Sequence, residues 1–204
     1  MAYEEIRGAI FNGNLKPGQL IVETELSEIL GISRTPLREA LALLEHEGLI
    51  ETIPYKGTFI AGLDSRTVRE IYDIRMILEC RAIELSVGKI PMELLLQLES
   101  EILSAFSEQD YRLPVLLTGK KLHYLISNYS GNETLAKLIY TYTEKIHQYL
   151  ITEQIVFEFK HLKQETEEHL EIVRALIEEN EVLAKKKLWE HLHFTHQRTL
   201  PYFR

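Results

Sequence analysis

A chain of 204 residues is long enough for two modest domains, each able to bury a core of its own. Its hydrophobic fraction of 45% is ordinary for a globular protein, and no apolar run approaches the ~18 residues of a spanning helix, so no membrane association is predicted. The formal charge of −8 argues against a protein that coats nucleic acid indiscriminately, and a single cysteine (Cys80) with no charged-then-apolar leader points away from a disulfide framework and export, towards a cytoplasmic address.

In chain order, residues 1–12 read as a helix with Ile6, Ala9 and Ile10 turned inward, and residues 13–18 (GNLKPG) as a turn. The stretch 25–60, ELSEILGISRTPLREALALLEHEGLIETIPYKGTFI, then spells a helix, a turn, a second helix and a small hairpin, which is a winged helix-turn-helix. Leu26, Ile29 and Leu30 recur at helical spacing, and Gly31 breaks that helix. Ser33 or Thr35 can cap the next one, whose first turn tolerates Pro36. Leu37, Ala40, Leu41 and Leu44 form a stripe that must pack on the first helix, which leaves Arg34, Thr35 and Arg38 on the free flank.

A major groove admits one α-helix, and the leading residues of that helix reach the base edges. Arg34 and Arg38 are the candidates here, since guanidinium can bond guanine O6 and N7 together, while Ser33 and Thr35 can add phosphate bonds. Residues 49–53 and 58–61 read as strands joined through Pro54, Tyr55, Lys56 and Gly57, a wing whose Lys56 can reach phosphate or the minor groove. The plainer alternative is that Arg34 and Arg38 are solvated helix charges, because two-helix turns also occur in proteins that never touch DNA. Residues 1–64 carry five Lys/Arg against ten Asp/Glu. Few phosphates are therefore neutralised per subunit, and a dimer reading two half-sites is expected.

ELSEILGISRTPLREALALLEHEGLI followed by PYKGTFI resembles the DNA-binding domain of GntR-family transcriptional regulators, and with the preceding IRGAIFNGNLKPGQLI the resemblance covers about the first third of the chain. It implies that Arg34, Arg38 and the wing glycine, Gly57, approach operator DNA.

Residues 61–65 are a short boundary between domains 1–63 and 64–204, with Gly62 a possible hinge. Beyond it the pattern is helical, over about 65–87, 91–109, 113–130, 132–159, 161–179 and 181–200, with breaks at 88–91, Pro114 and 130–132. The fold class is thus mainly α, an N-terminal winged helix-turn-helix followed by an antiparallel all-α bundle.

On the first bundle helix Val68, Ile71, Tyr72, Leu78, Ala82 and Leu85 form an apolar stripe, and Arg75 falls on it. A guanidinium carried into a core needs an anion: either Glu79 one turn on, or a carboxylate or phosphate of a small effector. His123, His169 and His191 each fall on the apolar face of a different helix. They are either core imidazoles with satisfied hydrogen bonds or three converging ligands sufficient for a divalent ion. His46, His147, His161, His193 and His196 read as surface or packing residues.

IYDIRMILECRAIEL, LHYLISNYSGNETL and EEHLEIVRALIEENEVLAKKKLWEHL are similar to the FCD-type ligand-binding domain of the FadR branch of the same family. The resemblance matches Arg75 to the family arginine, His123, His169 and His191 to its histidines, and implies a divalent cation whose shell is completed by a small organic acid. The family aspartate one turn before His123 is replaced by Gly119. Three histidines without it still suit a metal, Zn²⁺ or Ni²⁺ rather than Mg²⁺. The reading is a homodimeric, non-enzymatic regulator that binds double-stranded operator DNA and senses a small carboxylate. The alternatives are a small metal hydrolase built on the histidines, which lacks an HExxH motif, and a regulator that senses the metal itself.

Overall fold

The computed structural model describes residues 2–11, 14–62, 64–105, 112–152 and 159–202. It forms two compact units, residues 1–63 with 144–154, and residues 64–143 with 155–204. In the first unit α1 (Ala2–Phe11), α2 (Glu23–Leu30) and α3 (Arg34–His46) accompany three strands, β1 (Leu20–Ile21), β2 (Ile50–Ile53) and β3 (Gly57–Ile60). Ile6, Ile10, Leu37, Leu44 and Ile60 are the most deeply buried side chains of its core. They are the inward positions of α1, α3 and β3, so the amphipathic stripe read from residues 37–44 is the seam on which the unit closes.

The first helix of the motif packs differently from its sequence stripe. Leu26 and Leu30, one turn apart, are half-buried, whereas Ile29 is 79% exposed. An eight-residue helix offers one narrow face, and Ile29 lies to the side of the line joining the other two. Gly31 ends α2 in the left-handed conformation (φ 63°), its N–H and that of Ile32 returning to carbonyls of the last turn, Glu28 and Ser27.

The sheet has the order β1-β3-β2, all antiparallel, with Ile50 opposite Ile60, Ile53 opposite Gly57 and Leu20 opposite Phe59. The β2–β3 pair is the expected wing. β1 is an addition that a two-residue strand gives no periodicity to announce. It also explains Gly57, which sits at φ 122°, where a Cβ would lie 2.8 Å from Leu20 Cδ1.

The second unit is built from α4 (Ser65–Ser86), α5 (Met92–Ala105), α6 (Arg112–Asn128), the first part of α7 (Glu133–Thr152), α8 (Phe159–Ile177) and α9 (Glu181–Thr199). Asp64 caps α4 by accepting the Thr67 N–H at 2.6 Å. Pro114, expected as a break, falls in the first turn of α6, where its missing N–H costs nothing. The ends expected for the second and fourth bundle helices, 106–109 and 153–159, fall wholly or mostly outside the described residues. α9 packs on α4 and α8, and α6 on α4, α5 and α8, so the inward faces of α4, α6, α8 and α9 share one interior. Ile83, Leu98, Leu122, Ile126, Val173 and Leu188 fill it, each at most 1% exposed.

Leu37 is fully buried beneath α3. Leu37→Ala should therefore destabilise the winged unit by about 2–5 kcal/mol, read as a lower-denaturant transition by fluorescence or circular dichroism; an unshifted curve would remove Leu37 from the core.

Candidate functional site

Two sets of side chains stand out, one in each unit. In the first, Ser33 takes the N-cap position of α3 without using its hydroxyl as a cap, so that group stays available. Ser33, Arg34, Thr35, Arg38 and Lys56 are all exposed, and Gly57 is partly so. Arg38 is not wholly free: its Nε donates to Glu23 Oε2 at 2.8 Å, a contact from α2 that spacing alone did not suggest. The pair is exposed and occupies only Nε, so it can aim the guanidinium while leaving both terminal nitrogens to bond elsewhere.

In the second unit, His123 on α6, His169 on α8 and His191 on α9 come together, each at most 4% exposed, with their candidate ligand atoms within 4.8 Å of one another. Nε2 of His169 and Nε2 of His191 are 3.2 Å apart. Two ligands at ~2.0–2.1 Å from a tetrahedral ion lie roughly 3.3 Å from each other, so the spacing suits a shared cation.

Each of two histidines is oriented through a carboxylate by an arginine. Arg75 Nε donates to Glu79 Oε1 at 2.7 Å, and Glu79 Oε2 meets His123 Nδ1 at 2.5 Å. Arg198 grips Glu168 with two bonds of 2.7 and 2.8 Å, and Glu168 Oε2 meets His191 Nδ1 at 2.9 Å. A carboxylate on Nδ1 holds the proton there and turns the Nε2 lone pair inward, which is how metal-ligating imidazoles are commonly supported. The residues therefore fit a divalent cation.

The electrostatics follow from burial. For Glu79 burial opposes the charged form, but Arg75 and then His123 outweigh it and hold the carboxyl down at about 2. Burial likewise opposes charge on Glu168, yet its bonds to His191 and Arg198 keep it below the usual carboxylate range. His191 is pushed down to about 4, chiefly by burial and against the pull of Glu168. Glu165, also buried, is pushed up to about 7, with Arg198 opposing the shift.

Gly119 lies where the family aspartate was expected, and the geometry explains what fills its place. A Cβ at 119 would lie 2.5 Å from His169 Cε1 and 3.1 Å from its Nδ1. A side chain there would point straight at the imidazole, so in this chain His169 occupies the space that a carboxylate from α6 would need.

Spacing points to Arg75 and the three histidines; the histidines do meet, and Arg75 reaches them through Glu79. Arg75 proves to pair with Glu79, the local partner considered for it. Missed were Arg198 and the buried Glu165. The last helix alternates charged and apolar residues, and nothing in its pattern separates Arg198 from the solvated lysines at 185–187. Elsewhere on this unit a groove of about 590 Å³ lies along the outer faces of α4 and α9, walled by Cys80, Val182 and Trp189, and none of the three histidines lines it. No helix among the described residues is long and apolar enough to cross a membrane.

Fold and site together define a winged helix-turn-helix protein with an all-helical second unit that carries a buried histidine triad. Residues 1–60 match the gntR family of bacterial regulatory proteins and residues 70–194 match the FCD domain. The chain belongs to the FCD-containing branch of the gntR family. Over 148 residues it is 35% identical to the HTH-type transcriptional regulator YdhC of Bacillus subtilis (strain 168), a match covering 71% of this chain and 66% of that protein, a little under two thirds of its length. A GntR transcriptional regulator from Rhodococcus sp. RHA1 shares the fold, with a TM-score of 0.82 at 18% identity over 99% of this chain and 97% of that one. The metal-free FCD domain of TM0439 aligns with a TM-score of 0.58 at 25% identity, over 69% of this chain and 96% of that domain. FCD domains can bind metal, and the triad here has the donors for it. The hydrolase alternative is not favoured by these likenesses.

Because the folded pKa of Glu165 is raised, its contribution to stability is present below about 4.5 and is lost as pH rises through about 7. His191, shifted the other way, contributes above about 6.5 and loses that contribution as pH falls towards about 4. Comparing Glu165→Gln with the parent cancels the His191 contribution. In chelator-treated protein the variant's melting temperature should gain on the parent between pH 5 and 8; a constant gap would show that Glu165 does not bind its proton more tightly in the folded state.

Proposed function

We propose that the protein is a DNA-binding transcriptional regulator whose helical unit senses a small organic acid. Arg34, Arg38 and the Lys56-Gly57 wing read a duplex, with Ser33 and Thr35 bonding phosphate. The observation that carries the reading is the exposure of the whole leading turn of α3 on a seam closed by Leu37, in a chain of the gntR family. Contact with DNA from a unit so rich in acids relies on those few placed cations, so the regulator works as a homodimer on two half-sites.

His123, His169 and His191 are the residues that would hold a divalent cation, Zn²⁺ or Ni²⁺ rather than Mg²⁺, because imidazole suits borderline ions better than hard ones. When bound, the cation supplies a Lewis-acidic point for an effector carboxylate. Arg75, whose terminal nitrogens make no hydrogen bond with described residues, is the second anion-seeking group. The effector acts by binding two states of the protein unequally, since a ligand shifts an equilibrium only by what it distinguishes.

Arg38→Ala should weaken binding to an operator duplex selected from a random pool by roughly 1–3 kcal/mol and leave the melting temperature unchanged. Fluorescence anisotropy checks this, and unaltered affinity would reject the assigned groove face. His169→Ala should lose zinc uptake, measured by elemental analysis after dialysis against Zn²⁺. Metal content equal to the parent would exclude that residue as a ligand.

A further inference from the structure

The tip of the wing carries a residue that the fold does not account for. The Lys56 N–H returns to the Ile53 carbonyl at 3.0 Å, closing a turn with Pro54 and Tyr55 at its centre. Proline fixes a negative φ at the first central position and Tyr55 follows at φ 65°, which makes the turn type II, whose second central position favours glycine or asparagine. A bulky side chain there is a backbone outlier. Tyr55 gains nothing within the chain in return. Its ring is fully exposed, and its side chain makes no hydrogen bond, ion pair or ring contact with a described residue. The strand below it is nonetheless braced, since Leu20 Cδ1 of β1 lies 2.8 Å from where a Cβ at Gly57 would stand.

A strained residue with no internal partner, on a tip held firm from below, has its use outside the chain. Lys56 beside it is a flexible point charge that suits any phosphate. The Tyr55 phenol is flat, rigid and uncharged, with a hydroxyl that donates. The floor of an A·T minor groove displays only acceptors, adenine N3 and thymine O2, whereas a G·C pair adds the guanine N2 amino group. A groove about 6 Å wide admits a ring only edge-on, so that amino group stands in the path of a ring whose hydroxyl seeks the floor.

We infer that Tyr55 is a specificity-determining residue that reads the minor groove beside each half-site and favours A·T over G·C pairs there. The inference rests on the proposed reading of a duplex by α3 and the wing, and it gives the wing a base preference that phosphate contacts cannot supply. Anisotropy titrations of the full chain on an operator duplex selected from a random pool test it. The base pairs flanking each half-site are set in turn to A·T, G·C and inosine·C, the last keeping the major-groove acceptors of G·C without the amino group. The parent should bind the A·T and inosine·C forms about fivefold or more tightly than the G·C form. Tyr55→Ala should bring both ratios to about one, and Tyr55→Phe, which keeps the ring without the hydroxyl, should leave an intermediate ratio. Tyr55→Gly suits φ 65° and removes no packing, so it should lose the discrimination while the melting temperature holds or rises.

Equal binding of the parent to all three forms, an A·T preference that inosine·C does not share, or ratios unchanged by Tyr55→Ala would overturn this inference and leave duplex reading by α3 standing. A melting temperature lowered by Tyr55→Gly would show that the ring serves the fold and would overturn it as well. Failure of the parent to bind any selected duplex would overturn both readings.

Discussion

Burying charge is the constraint on which the helical unit depends. Arg75 and Glu79 are 3% and 1% exposed, and His123, which completes their chain of bonds, is 3% exposed. Removing one member would strand the others away from water, a loss of several kcal/mol for a charged group, whereas an intact chain roughly offsets its own desolvation. Such pairs contribute little net stability, but they penalise alternatives severely. α4 cannot slide or rotate against α6 without breaking the Glu79–His123 bond, and α9 cannot do so against α8 without leaving Glu168 short of Arg198 or His191. The two guanidinium–carboxylate–imidazole chains therefore set the helix register that brings three ring nitrogens to one point.

That arrangement also shows how far the sequence could be read. The winged motif was legible because its signals are local: a four-residue apolar stripe, a glycine at a left-handed turn and a short hairpin all lie within one segment. The Arg75–Glu79 pair was legible for the same reason, being one helical turn apart. Its extension to His123 spans 44 residues, and the match between Arg198 and Glu168 spans 30. No periodicity encodes which of several outward-looking charges on an amphipathic helix will be turned in by the packing of two others. The exposed Ile29 is the converse case, an apolar residue at plausible spacing on a helix too short to bury it.

The first unit resolves its acidic composition by position. Glu47 accepts from the Tyr3 hydroxyl at 2.6 Å, and Glu45 accepts the Thr52 N–H at 3.0 Å, so these two acids serve the fold at the opposite end of α3 from Arg34. Glu23 instead holds Arg38. An acid that grips Nε costs some positive field but limits the rotamers of a long side chain, which would lower the entropy lost if the guanidinium docks on a duplex as proposed. Fewer cations held in defined directions favour discrimination between sequences over general affinity for phosphate.

Glycine at 119 then bears on the ligand proposed for the second unit. A carboxylate from α6 would neutralise part of a cation's charge before any effector arrived. With Gly119 and the His169 ring in its place, the chain would present only imidazoles, which carry no charge when they ligate. Glu79 and Glu168 do not make up the difference, since each is matched by its own arginine. A divalent ion held there would keep its double charge towards the open position and demand an anion from outside the protein. If the site works as proposed, the lack of an acidic ligand from α6 would shift the burden of neutralising it from the chain to the effector, and would couple occupancy by metal and by carboxylate more tightly than a four-ligand site does.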